Sequence, residues 1–140
     1  MKYRKILHGL DGSEGSFKAL EHAVELASRF HAELHTISVE EVPHYPGMVG
    51  EVVESQQAAQ GRYGQAMQRA RLIAGEQGVE LQCHVVIGHE IKTIVELIKE
   101  QGFDLLVIGF MGRSALYDRV MGSTCQGLVR LAGCAVLVVR

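Results

Sequence analysis

The chain has 140 residues, of which 47% are hydrophobic, with 14 Lys+Arg against 16 Asp+Glu. That is the size of one ordinary domain, expected to span residues 1–140, and too small for a catalytic domain plus a regulatory one. A net charge of −2 leaves no basic surplus for a phosphate backbone, and no apolar run approaches the roughly 18 residues that cross a bilayer, so neither nucleic acid nor membrane is an expected partner.

Met1 to Lys5 carry the charge of a signal peptide, but Asp11 arrives before an apolar stretch can form, so no export signal is expected. Cys83, Cys125 and Cys134 are odd in number and lack C-x-x-C spacing. They indicate neither a disulfide framework nor a zinc site, and a reducing cytoplasm is expected.

Residues 6–10 read as a first strand. After Asp11-Gly12-Ser13, the recurrence of Phe17, Leu20, Ala23, Val24, Ala27 and Phe30 every three or four positions predicts an amphipathic helix, with Ser13 or Ser16 as its N-cap. Residues 33–39 read as a second strand, followed by a loop holding both prolines. From Val52 a helical stripe runs through Ala59, Tyr63, Ala66, Ala70, Ile73 and Ala74. Gly61 and Gly64 each cost about 1 kcal/mol in a helix interior, which predicts a break or a mobile first half. With residues 40–50, this stretch is a candidate to become ordered on ligand binding. A third strand over 81–87, a helix over 91–98, a fourth strand over 105–108, a short helix over 123–131 and a fifth strand over 135–139 complete the chain.

Strands joined by helical crossovers pair in parallel, and the unbroken apolar runs at 105–108 and 136–139 suit strands covered on both faces. The pattern predicts a doubly wound, Rossmann-like α/β fold whose ligand lies beyond the carboxyl ends of the strands. The places to look are residues 10–16, 39–41, 88–90 and 109–123.

The last of these windows holds Gly109-Phe110-Met111-Gly112-Arg113-Ser114 and then Gly122-Ser123-Thr124, a G-2x-G-9x-G-S spacing. Glycines at a strand end admit a ligand close to the backbone, and the amides of a first helical turn favour an anion. Ser123 and Thr124 add hydroxyl donors, and Arg113 could fork onto phosphate oxygens or lie solvated. The alternative is that Gly109 and Gly112 only turn the chain and Ser123 only caps a helix. Neither G-x-x-x-x-G-K-[ST] nor G-x-G-x-x-G occurs, which argues against a standard NTPase or dehydrogenase.

Other residues invite site readings. Asp11 either borders a ligand or starts the first helix as a turn residue. His31-Ala-Glu-Leu-His35 straddles a helix end and a strand, so its spacing does not aim two rings from one helical face, and solvated surface histidines are expected. His89-Glu90 could touch a ligand at the carboxyl edge, with helix capping the favoured role. Cys125 is expected as a small core thiol or a site-lining one, and Cys83 and Cys134 as buried packing residues.

Three segments, residues 6–20, residues 104–109 and residues 112–139, resemble the universal stress protein family in its ATP-binding branch over nearly the whole chain. That resemblance implies a five-stranded parallel sheet in the order 3-2-1-4-5 with helices on both faces, and ATP, with AMP or ADP as alternatives, as ligand. It implies that Leu10 and Asp11 border the adenosine, Val39 meets the adenine, and Gly109 and Gly112 pass under ribose and phosphates. Ser123, Thr124 and Cys125 would hold phosphate oxygens, with Gly122, Arg113 and Ser114 completing the motif and Mg2+ a companion of the nucleotide. Phe110-Met111 departs from the family's more polar pair, and Cys125 stands where the family usually has a small hydroxyl residue or Ala. In that strand order the all-apolar fifth strand is an edge that must be covered or paired, and the family's habit implies a homodimer through it.

The expected function is a nucleotide-dependent regulatory, stress-response module acting on an unknown protein partner. One alternative is a slow ATPase or phosphotransferase, for which only Asp118 suggests a base and no acidic pair is evident for Mg2+. The other is a dimeric adaptor that binds no nucleotide.

Overall fold

The computed structural model describes residues 2–41, 49–110 and 121–140, with the backbone alone at 49–60 and 62. Nine elements alternate: β1 Lys5–Gly9, α1 Glu14–Phe30, β2 Glu33–Glu41, α2 Val49–Glu76, β3 Leu81–Gly88, α3 Glu90–Gln101, β4 Leu105–Gly109, α4 Ser123–Leu131 and β5 Ala135–Val139. All four strand pairings are parallel, in the order β3-β2-β1-β4-β5.

Period-two alternation sorts the strand residues between two apolar cores. Ile6, Leu10, Leu34, Leu105 and Val107 pack on α1 and α2 through Phe17, Leu20, Val24, Ala70 and Ala74. Leu7, Ile37, Val39, Leu106 and Ile108 face the other way, onto α3 and α4 through Ile94, Ile98, Cys125 and Leu128. Helices on both faces explain why residues 105–108 are apolar without alternation.

Helix ends follow local chemistry. Ser13 is the N-cap of α1, accepting from the Ser16 amide at 3.1 Å, so Ser16 is not the cap. His31 closes α1 in the left-handed region at φ 53°, and Gly102 closes α3 at φ 71°. α2 departs from expectation: it runs unbroken through Gly61 and Gly64. Both glycines are open to space, and the helix is tied down further along by buried Tyr63, Ala70 and Ala74, so packing outweighs their propensity cost. Residues 42–48, in the loop after β2, lie outside the described residues. Among the described residues, no helix is long and apolar enough to cross a membrane.

The chain reverses between β1 and β4. From β1 it leaves through α1 on one face toward β2; from β4 it goes on to α4 on the opposite face and then to β5. A crevice opens between the carboxyl ends of these two neighbouring strands.

Candidate functional site

A cavity of about 220 Å3 occupies that crevice. β1 and the turn after it contribute Gly9, Leu10, Asp11, Ser13 and Ser16, while β2 contributes Val39. β4 adds Ile108 and Gly109, and the start of α4 adds Gly122, Ser123, Thr124 and Cys125. All four sequence windows therefore meet in one place.

The wall at β1 is held by internal hydrogen bonds. Leu10 donates its amide to the Ile37 carbonyl at 2.9 Å and accepts the Ser38 hydroxyl at 2.7 Å, which carries the chain past the end of β1 along β2. Asp11 Oδ1 accepts from the Ser13 amide at 2.9 Å and from the Ser13 hydroxyl, an Asx turn that leads into α1. Asp11 thus leads into the helix as a turn residue and also lines the cavity.

Below this turn lies a residue that sequence reasoning passed over. His8 is fully buried, with Nε2 2.7 Å from the Ser16 carbonyl and Nδ1 2.9 Å from Thr36 Oγ1. A carbonyl only accepts, so Nε2 carries the proton and Nδ1 takes the Thr36 hydroxyl. Burial lowers the His8 pKa to about 4, with the Ser16 carbonyl and the Asp11 charge opposing more weakly.

The opposite wall is the first turn of α4. Gly109 ends β4, Phe110 donates to the Val139 carbonyl at 2.8 Å, and the Phe110 carbonyl accepts from the Gly122 amide at 3.1 Å. Gly109 and Gly122 are thereby brought together although twelve residues separate them. Gly122 is the N-cap residue of α4 in extended conformation and supplies no side-chain cap. The first-turn amides after it have no acceptor within the helix. Gly112, Arg113 and Ser114 of the motif, and Asp118, lie outside the described residues.

Cys125 is buried in this wall, and loss of solvation raises its thiol pKa, the direction opposite to thiolate activation. Cys83 and Cys134 are half-buried at the rims of the two cores, less enclosed than expected.

The third window contributes Glu90 from α3, and three lining residues carry no motif signal: Tyr63 from α2, Ile94 from α3 and Leu128 from α4. Glu90 was expected mainly as a capping residue. Its amide donates to Glu41 Oε1 at 3.1 Å while its carboxylate Oε2 accepts the Thr124 hydroxyl at 3.4 Å, so it reaches the cavity. Asp11 and Glu90 both line the cavity, the one held by Ser13 and the other by Thr124, and among the described residues no group of carboxylates, histidines or cysteines is gathered to hold a metal ion.

His35 also differs from expectation. It is buried, not solvated, with Nδ1 2.9 Å from His84 Nε2, Nε2 3.3 Å from Glu33 Oε1, and its ring edge-on to Phe103. His31 is exposed at the end of α1.

The sequence model described as "Universal stress protein family" matches residues 2–140. Universal stress protein MJ0531 of Methanocaldococcus jannaschii is 30% identical over 142 residues, covering 99% of this chain and 82% of that protein. Among solved structures, universal stress protein UspA from Lactobacillus plantarum superposes with a TM-score of 0.89 at 26% identity, covering 100% of this chain and 99% of the other. A universal stress protein crystallised in complex with cAMP superposes with a TM-score of 0.77, also at 26% identity, covering 100% and 99%.

Proposed function

The chain belongs to the universal stress protein family, and on that premise we propose that it is an adenine-nucleotide-binding regulatory module, with ATP as the expected ligand and ADP or AMP as lesser ones. The observation that carries this reading is the meeting of an apolar wall, Val39 with Ile94 and Ile108, and the open first turn of α4 in one cavity at the chain reversal. The apolar wall suits a base. The amides and hydroxyls of Ser123 and Thr124 suit phosphate oxygens through directed N–H groups and the helix dipole, with no lysine required. Asp11 borders the sugar in this reading, and the likeness to a protein bound to cAMP supports an adenine ligand.

The same reading pairs two copies through Ala135–Val139. β5 is a sheet edge on which Val136, Leu137 and Val138 are only half covered, and α4 beside it in sequence leaves Leu131 61% exposed. Apolar edge strands of this kind call for a partner.

Thermal unfolding tests the nucleotide reading. ATP at about 100 times its Kd adds roughly 2.7 kcal/mol by mass action, a rise of several degrees in Tm. Absence of any shift with millimolar ATP, ADP, AMP or cAMP would leave the dimeric adaptor as the better account.

A further inference from the structure

Outside the cavity, two histidines join β2 to the edge strand β3. His35 Nδ1 and His84 Nε2 are 2.9 Å apart, and the two rings are parallel to within 4° with centroids 5.1 Å apart. The nitrogen separation plus the two ring radii accounts for that centroid distance, so the rings lie edge to edge in one plane, the geometry of a straight N–H···N bond. The protons are assigned from the far end of the chain of bonds. His35 Nε2 is 3.3 Å from Glu33 Oε1, and a carboxylate only accepts, so His35 carries its proton on Nε2 and offers Nδ1 as an acceptor. His84 then donates from Nε2, and its Nδ1, on the side of the ring away from His35, is left for a further proton. Gln82 donates to the same Glu33 oxygen at 3.4 Å.

We propose that Glu33, His35 and His84 form a pH-sensitive latch that holds β3 on the sheet near neutrality and releases it as the two rings become protonated. β3 is paired with β2 alone, so its other edge has no strand to hold it. With both rings fully protonated, two N–H groups face each other where one N–H···N bond stood, and the rings part. Once parted and in water, both imidazoles titrate near about pH 6.5, so the opened strand takes up more protons than the closed one. The latch is therefore complete above that pH and fails as pH falls below it. Burial, helped by His35 and Lys5, lowers the His84 pKa in the closed strand, which is the same direction. The charged groups acting on the pair are Glu33, from β2, and Lys5, from β1, whose Nζ donates to the Gln101 carbonyl over the Phe103 ring. Asp104, after α3, accepts from the Arg4 and Lys5 amides. α3 turns Ile94 and Ile98 into this core and leaves Lys92, Glu96, Lys99 and Glu100 exposed, while α2 packs on the other face of the sheet, where Arg71 acts on Cys83. β3 ends at Gly88, two residues before Glu90 in the cavity wall, so the strand that the latch holds is the one leading into the site.

Two measurements test the latch. Ring-nitrogen NMR near neutral pH should show both His35 and His84 protonated at Nε2 and bare at Nδ1; a proton on Nδ1 of either ring overturns the assignment and the latch with it. Amide hydrogen exchange, corrected for its intrinsic pH dependence, gives the protection of residues 82–87 in β3 relative to residues 6–8 in β1. In wild type that ratio should fall at least about tenfold from about pH 7.5 to about pH 5, because opening frees groups that bind protons. In His35→Gln/His84→Gln, whose two amides can bond to each other but take no proton, it should change by less than about twofold. A ratio that stays constant in wild type, or that falls equally in both proteins, overturns the proposal. Should the double variant fail to fold, His84→Gln takes its place, and a fall as large as in wild type has the same consequence.

Discussion

The two helix starts that face the cavity are built in opposite ways. At α1 the polar groups are consumed by the protein: Ser13 caps the Ser16 amide, Asp11 holds Ser13, and His8 holds the Ser16 carbonyl from below. At α4 the cap position is Gly122, which brings no side chain, and although the Thr124 hydroxyl turns to Glu90, the amides of the first turn receive no side-chain cap. The difference separates a terminus closed by its own cap from one that, in the proposed function, leaves its first-turn amides to a ligand. The cost of an uncapped helix end is modest, about 1 kcal/mol, so a binding site can be left open at small expense to stability.

The sharpest way to break the closed terminus is to charge its foundation. His8 is held near pKa 4 in the folded protein against about 6.5 when exposed, so the unfolded chain binds the extra proton between those values. Its contribution is complete above pH 6.5 and lost as pH falls through 6.5 toward 4, roughly 3 kcal/mol in total. His84, also lowered by burial, acts in the same direction. Urea midpoints followed from pH 7 to pH 4 should therefore fall steeply in wild type and less steeply in His8→Gln; parallel slopes would dismiss this role for His8.

The open terminus is tested by filling it. Ser123→Glu puts a negative charge where the phosphates are proposed to sit, and about a hundredfold loss of ATP affinity is expected. The same carboxylate is favourable to the α4 dipole, so unligated stability should hold or rise by about 0.5 kcal/mol. Calorimetry and thermal unfolding of one protein thus separate binding from folding, and undiminished ATP affinity would place the phosphates elsewhere.

A smaller change sharpens the contrast from the other side. Ser13→Ala removes the α1 cap and should cost about 1 kcal/mol of stability in urea unfolding, with ATP affinity altered by less than about tenfold. If affinity fell as far as in Ser123→Glu, the two termini would not be divided as described.

Much of this architecture was legible in the residues. The bounds expected for the last two elements, 123–131 and 135–139, coincide with α4 and β5; β1 is displaced by one residue at both ends, and β2, β3 and β4 run one or two residues further at their carboxyl ends. Strand ends marked by Asp11-Gly12, Gly88 and Gly109 pointed to the edge of the sheet where the cavity opens, because turn chemistry is local. What escaped was set by packing across elements. Nothing near Glu90 in sequence shows that Gly127, 37 positions later, lets α3 approach α4. His35 looked like a surface residue until pairing of β2 with β3 set it beside His84, with the Phe103 ring packed perpendicular to it.

The sequence by itself determined the alternation of strands and helices, their polarity and the edge of the sheet at which the cavity opens, because periodicity and turn residues act over a few positions. Only the tertiary structure decided that α2 stays helical through its glycines, that two carboxylates share one cavity, and that one helix start is sealed by a buried histidine while the other is not. Those outcomes depend on which faces meet and at what distance. They are fixed by the mutual burial of apolar surface from remote parts of the chain.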